Sequence, residues 1–119
     1  MSREKQLNRP TPEGRALGEQ MARLISEPIM QIALQGEPDA RCSSCAFRQG
    51  TIPNGCPETQ MDALKCVMEG APFYCHMKEP RETCHGWYAG RYAVRGETRL
   101  CPWKFTTEYE EEAKRNGGS

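Results

Sequence analysis

Apolar residues recur at helical spacing in the first third of the chain. Leu17, Met21, Leu24 and Ile25 fall at i, i+4, i+7 and i+8, the one-sided stripe of an amphipathic helix. Thr11-Pro12 supplies its start, a hydroxyl N-cap followed by a proline that is well suited to the first helical turn. Ser26-Glu27-Pro28 kinks or restarts the helix. Ile29, Ile32 and Ala33 extend the apolar face, and Gly36 closes it. The pattern predicts a helical arm over residues 11–36, helical from 12 to 35, whose apolar face suits docking or dimerisation.

Beyond the arm the pattern changes. Residues 42–57 are punctuated by Gly50, Pro53 and Asn54-Gly55 and read as an irregular loop. A second helix is predicted over Pro57–Glu69, with Met61, Leu64 and Met68 on its apolar face and Gly70 beyond its end. Pro72 to Cys75 is a short extended piece. Thr83 is the expected cap of a helix from Cys84 to Arg95, closed by Gly96, although Gly86 and Gly90 each weaken it by about 1 kcal/mol relative to alanine. Cys101-Pro102-Trp103 is extended or a turn, and Thr106 caps a short polar helix to about Arg115. The organisation expected is a mobile tail (1–10), the arm (11–36), a cysteine-rich metal-binding domain (37–105) and a polar helix with a flexible tail (106–119). No internal repeat of solenoid length is visible.

Composition explains why such a chain needs help to fold. It has 119 residues, room for one domain. Leu, Ile, Val and Phe together number only fifteen, about 13% and below the level of ordinary globular cores. Sixteen basic residues balance sixteen acidic ones, so neither disorder by self-repulsion nor a polybasic surface for DNA or membranes is indicated. Seven cysteines instead point to a staple of the kind small cores require. The polar start MSREKQLNRP has no apolar signal region, and no run approaches the length of a membrane span. A cytoplasmic location is expected, where clustered cysteines serve metals or catalysis; disulfides are the alternative, and an odd count would leave one thiol over.

The chemistry concentrates in Cys42-x2-Cys45, whose spacing lets two sulfurs converge on one ion, and in Cys75-His76 and Cys84-His85. Cys42, Cys45, Cys75 and Cys84 form the expected metal set, giving a mainly α, zinc-finger-like domain stapled by zinc. The C-x8-C second half is wider than in standard fingers. Within each Cys-His pair the two side chains diverge, so one serves the metal; His76 or His85 can replace its neighbouring cysteine, and Cys101 can replace Cys84. Cys66 reads as a small buried hydrophobe. Cys56, just before a helix start, is the best outside candidate for reactivity or as an extra ligand.

The string Cys42-x2-Cys45-Ala46-Phe47-Arg48-x-Gly50-Thr51, with Phe73-x-Cys75-His76 and Cys84-x-Gly86-Trp87, resembles a group of small cysteine-rich proteins of phages and bacteria that have no assigned activity. The similarity covers roughly residues 42–88. It implies that the four cysteines act as a unit and that the chain is of phage or prophage origin. Gly86-Trp87-Tyr88-Ala89-Gly90 is also similar to the glycine-tryptophan turn of Wbl-type iron–sulfur regulators, though the cysteine spacing departs from their C-x2-C-x5-C core.

The function expected is non-enzymatic: a structural zinc protein acting through a protein partner, with the 12–35 arm as the natural binding surface. The alternatives are an iron–sulfur protein with a redox or sensing role, a thiol-dependent enzyme, and a nucleic-acid-binding zinc module. For the last, residues 76–104 carry six basic and three acidic residues, with Arg81, Arg91, Arg95 and Arg99 among aromatics. No phosphate-cradling or dinucleotide glycine loop is present.

Overall fold

The computed structural model describes residues 9–74 and 82–117. Thr11 opens the first helix, α1 (Pro12–Leu24), in extended conformation, its Oγ1 accepting from the Gly14 N–H at 3.0 Å. The chain restarts after the single residue Ile25 as α2 (Ser26–Leu34). Pro28 falls in the first turn of α2, where a missing N–H leaves no carbonyl of the new helix unpaired. A one-turn helix, α3 (Ile52–Gly55), lies within the stretch expected to be irregular, with Thr51 Oγ1 accepting from Asn54 N at 3.1 Å. Then follow α4 (Pro57–Glu69), α5 (His85–Arg95), a 3-10 turn (Pro102–Phe105) and α6 (Thr106–Gly117). The described residues are thus mainly helical with no strand, and Tyr74 and Thr83 form an isolated antiparallel bridge. Cys84, and not Thr83, is the N-cap of α5, and Gly96 ends it at φ 69°.

Glycines decide how closely α1 packs. A Cβ on Gly18 would stand 2.0 Å from the Asn54 carbonyl oxygen, and one on Gly14 1.8 Å from that of Gly55. Backbone therefore rests on backbone, and Asn54 Nδ2 closes the contact by donating to Gly18 O at 3.2 Å and to Ala46 O at 2.9 Å. The expected arm is consequently no free appendage. Met21, Ile25 and Ile32 are buried, and α1 packs on α3 and α4 while α2 packs on α5.

The scarcity of aliphatic residues is met by aromatic volume. Trp87, Tyr92, Tyr109 and Phe47 are the largest fully buried side chains, and Trp87 Nε1 donates to Cys66 O at 3.2 Å. Such rings bury far more area per residue than an alkyl side chain. On α4 the sequence expectation is corrected. Gln60, Ala63 and Val67 face inward, while Met61, Leu64 and Met68 are 59%, 40% and 58% exposed. Two contacts turn the helix this way: Val67 fills the space left by Gly90, where a Cβ would be 2.7 Å from its Cγ2, and Gln60 Nε2 donates to Ala46 O and Pro53 O.

The C-terminal helix, expected as a short polar helix, is docked on α5. Tyr109 and Ala113 are buried, Arg91 pairs with Glu112 and donates to Val67 O, and Arg95 pairs with Glu108 at 3.0 Å. Arg99 pairs with Glu97 and Glu108. Three of the four arginines that the nucleic-acid alternative rests on, Arg91, Arg95 and Arg99, are therefore matched by carboxylates of the same chain; Arg81 lies outside the described residues. No described helix is long and apolar enough to cross a membrane.

An alanine in a helix ordinarily stabilises it relative to glycine. Gly18→Ala is expected to reverse that sign and cost about 1–3 kcal/mol or more, read as a lower urea midpoint, whereas Ala16→Gly on the exposed face should cost about 1 kcal/mol.

Candidate metal centre

Cys42 to Phe47 forms a tight loop in which the carbonyls of Cys42, Cys45, Ala46 and Phe47 all accept hydrogen bonds. Cys45 N donates to Cys42 O at 3.2 Å, and Arg48 Nε reaches the same oxygen at 3.1 Å. Thr51 Oγ1 donates to Cys45 O at 2.9 Å, Asn54 and Gln60 both donate to Ala46 O, and Arg41 donates to Phe47 O at 2.7 Å while paired with Asp39. A loop held at this many points cannot drift, so the sulfur of Cys45 has a fixed position. Its neighbour Phe47 N–H donates to that sulfur at 3.4 Å.

The second half of the site comes from the start of α5. Cys84 N donates to Phe73 O at 2.7 Å, next to the Tyr74–Thr83 bridge. The two halves meet because residue 86 is glycine: a Cβ there would lie 2.4 Å from Phe47 Cγ. Phe47 thus lies against the first turn of α5, its ring in edge contact with Phe73. The result is that Cys45 Sγ stands 3.5 Å from Cys84 Sγ, both buried and not joined as a disulfide. Two thiolates on a tetrahedral zinc with bonds of about 2.3 Å would stand about 3.8 Å apart.

The electrostatics suit an anionic sulfur. The Cys84 thiol bonds to Cys45 and lowers its pKa; burial opposes this, and the Phe47 amide, the Arg41 charge and the Gly86 amide add to it. The same bond, together with burial, raises Cys84, while the Gly86 and Trp87 amides of the helix start favour its ionised form. Backbone N–H groups at a helix N-terminus stabilise negative charge.

Of the four sulfurs expected to form a set, the structure brings Cys45 and Cys84 together. Cys42 opens the same loop, half-buried against the core. Cys75 and its alternative His76 lie outside the described residues. Among the described residues no group of three or more His, Cys, Asp or Glu side chains could hold a metal ion. His85 packs edge-on to Trp103, with ring centroids 5.6 Å apart, and beside Tyr88.

The remaining cysteines take other places. Cys101 is buried at the N-cap of the 3-10 turn, its pKa raised by burial, beside the Glu37–Lys104 pair. Cys56 does not have the activated thiol expected of it: burial raises its pKa, and its S–H donates to Ile52 O at 3.2 Å. Cys66 is half-buried, its pKa raised by burial and by Asp62 and Glu69. Sequence reasoning missed the holders of the loop, Arg41, Arg48, Thr51, Asn54 and Gln60. A signal for Gln60 was present, an amide on the Gln60–Ala63–Val67 face of an amphipathic helix.

No family model matches the chain, and neither the curated proteins nor the solved structures contain a significant match to it.

Burial orders the thiols. In a timed alkylation of the native protein followed by peptide mass spectrometry, Cys66 is expected to react ahead of Cys45 and Cys84, whose modification should wait for unfolding. Early modification of Cys45 would contradict the packing of Phe47 on Gly86.

Proposed function

We propose that this chain is a small, non-enzymatic interaction module whose fold is fastened by one zinc ion held by the thiolates of Cys42, Cys45, Cys75 and Cys84. The observation that carries the reading is the unbridged Cys45–Cys84 sulfur pair at 3.5 Å, buried and provided with N–H donors. The two sulfurs share a hydrogen bond in the structure; a cation bound by both would replace that proton and compensate the second negative charge, which burial otherwise makes costly. The Cys42-x2-Cys45 spacing would let the Cys42 side chain, on turning toward the pair, add a third sulfur from the same loop. In sequence Cys75 follows Tyr74, the residue bridged to Thr83, and Thr83 directly precedes Cys84. Four thiolates would close the coordination sphere, leaving no open position for substrate, which supports a structural over a catalytic role. Metal binding of this kind contributes on the order of 10 kcal/mol of apparent free energy, ample for a chain with so few aliphatic residues. The resemblance to small phage and bacterial proteins fits the same reading and extends it to a phage or prophage origin. Partner binding falls to the α1–α2 region and the neighbouring exposed face of α4, where Met30, Leu34 and Met68 are exposed.

Elemental analysis of protein purified without oxygen or chelator should give about one zinc per chain and no visible absorption. Iron with a broad band near roughly 400 nm would replace zinc by a cluster on the same thiolates. Cys45→Ser is expected to lose the metal and the near-ultraviolet dichroism of the aromatic core, and Cys66→Ser to keep both. A Cys45→Ser protein with full metal would contradict the ligand assignment.

A further inference from the structure

The contact between α5 and α6 has opposite charge on its two sides. α5 carries Arg91 and Arg95 and no acidic residue, and Arg99 follows it, whereas α6 carries four glutamates over positions 108–112. Glu108 meets Arg95 at 3.0 Å and Arg99 at 3.3 Å. Glu112 pairs with Arg91 and lies 3.5 Å from Arg95, and Glu110 accepts from the Tyr88 hydroxyl. Among these carboxylates Tyr109 and Ala113 are buried one turn apart. The Tyr109 ring is stacked by Tyr88 and lies under the Arg95 guanidinium. Apolar anchors at i and i+4 are how an amphipathic helix seats in a groove. The seating has one flaw: Tyr109 Oη is buried with no hydrogen-bond partner. Burying that hydroxyl unpaired is costly, and water would pair it on release. The Arg95–Glu108 pair beside it is 29% and 44% exposed, so it adds little to offset that cost.

We infer that the face of α5 bearing Arg91 and Arg95, with Arg99, binds an acidic amphipathic helix of a partner protein, and that α6 occupies this site until the partner displaces it. The occupant is read from α6, which shows what fits: carboxylates four residues apart, a ring after the first and a small residue after the second. A nucleic acid would meet the arginines and leave the seats of Tyr109 and Ala113 empty. The unpaired hydroxyl gives the partner its advantage. A helix with phenylalanine in the place of Tyr109 fills the same seat without burying an unpaired oxygen, so it binds more tightly than α6 does. Displacement then follows from affinity, against the high effective concentration of a tethered helix. The inference goes beyond the proposed function and depends on neither the metal nor the α1–α2 surface.

The test uses the full-length protein and a fluorescent peptide of residues 105–117 with Tyr109→Phe, followed by anisotropy. The unsubstituted peptide should bind about tenfold more weakly. Glu108→Arg in the protein, which sets like charges against Arg95 and Arg99, should release α6 and tighten peptide binding about tenfold. Tyr109→Phe in the protein should close the site and weaken binding by a similar factor. Adding Arg95→Glu to Glu108→Arg re-forms the pair within the chain with its signs reversed, repels Glu108 of the peptide, and should abolish binding. If a variant fails to fold, hydrogen exchange of the wild-type chain decides: central amides of α6 should exchange about tenfold faster than those of α5. Equal exchange of the two helices, no peptide binding by folded Glu108→Arg protein, or equal affinity for the two peptides would overturn the inference. Tighter binding of a uridine oligonucleotide than of the peptide would overturn it in favour of a nucleic-acid site. Zinc content of the same samples separates the claims: full metal without peptide binding sinks this site alone, and peptide binding without metal sinks the zinc staple alone.

Discussion

The packing of Phe47 on Gly86 is the contact on which the rest of the molecule depends. It sets a side chain of the cysteine loop directly on the first turn of α5, with no room for a Cβ between them. Through it Cys45 reaches Cys84, the loop joins the aromatic core around Trp87, and two segments thirty-nine residues apart become one site. The loop transmits this constraint because it is stiff. Asn54 and Gln60 converge on Ala46 O, and the same Asn54 amide also holds Gly18 of α1. One carbonyl thus ties the N-terminal helix, the one-turn helix α3, α4 and the candidate metal site together.

This arrangement also accounts for a core built from unusual materials. Rings and small residues replace the missing aliphatic side chains: Trp87, Tyr92, Tyr109 and Phe47 supply volume, and glycines on α1 and α5 let neighbours approach. The cost is polar. Buried amides and the Arg91–Glu112 pair must be satisfied within the core, which is where precise geometry matters more than buried area. A cation shared by buried thiolates would fit the same economy of a small fold, contributing binding energy where hydrophobic area is short.

Much of the helical layout was legible in the sequence. Thr11-Pro12, Pro57 with Gly70, and Gly96 mark helix ends through chemistry local to those residues, and α1, α4 and α5 lie within a residue of where those signals put them. What local signals could not reveal was orientation. Met61, Leu64 and Met68 form as good an apolar stripe as any, yet α4 turns them outward because Gln60 and Val67 answer to distant partners, Ala46 and Gly90. The glycines of α5 read as weaknesses of a helix and prove to be its contact points. The cysteine pattern grouped Cys45 with Cys84 as members of one metal set, and the fold sets their sulfurs 3.5 Å apart, whereas the Cys56 thiol is raised by burial that only the tertiary fold creates.

The central claim is that the Cys45–Cys84 pair belongs to a four-thiolate metal site. X-ray absorption at the zinc edge of the purified protein tests it most directly. The account predicts a single shell of four sulfur ligands at about 2.3 Å. A shell of nitrogen and oxygen ligands, or protein that folds fully with no bound metal, would contradict it.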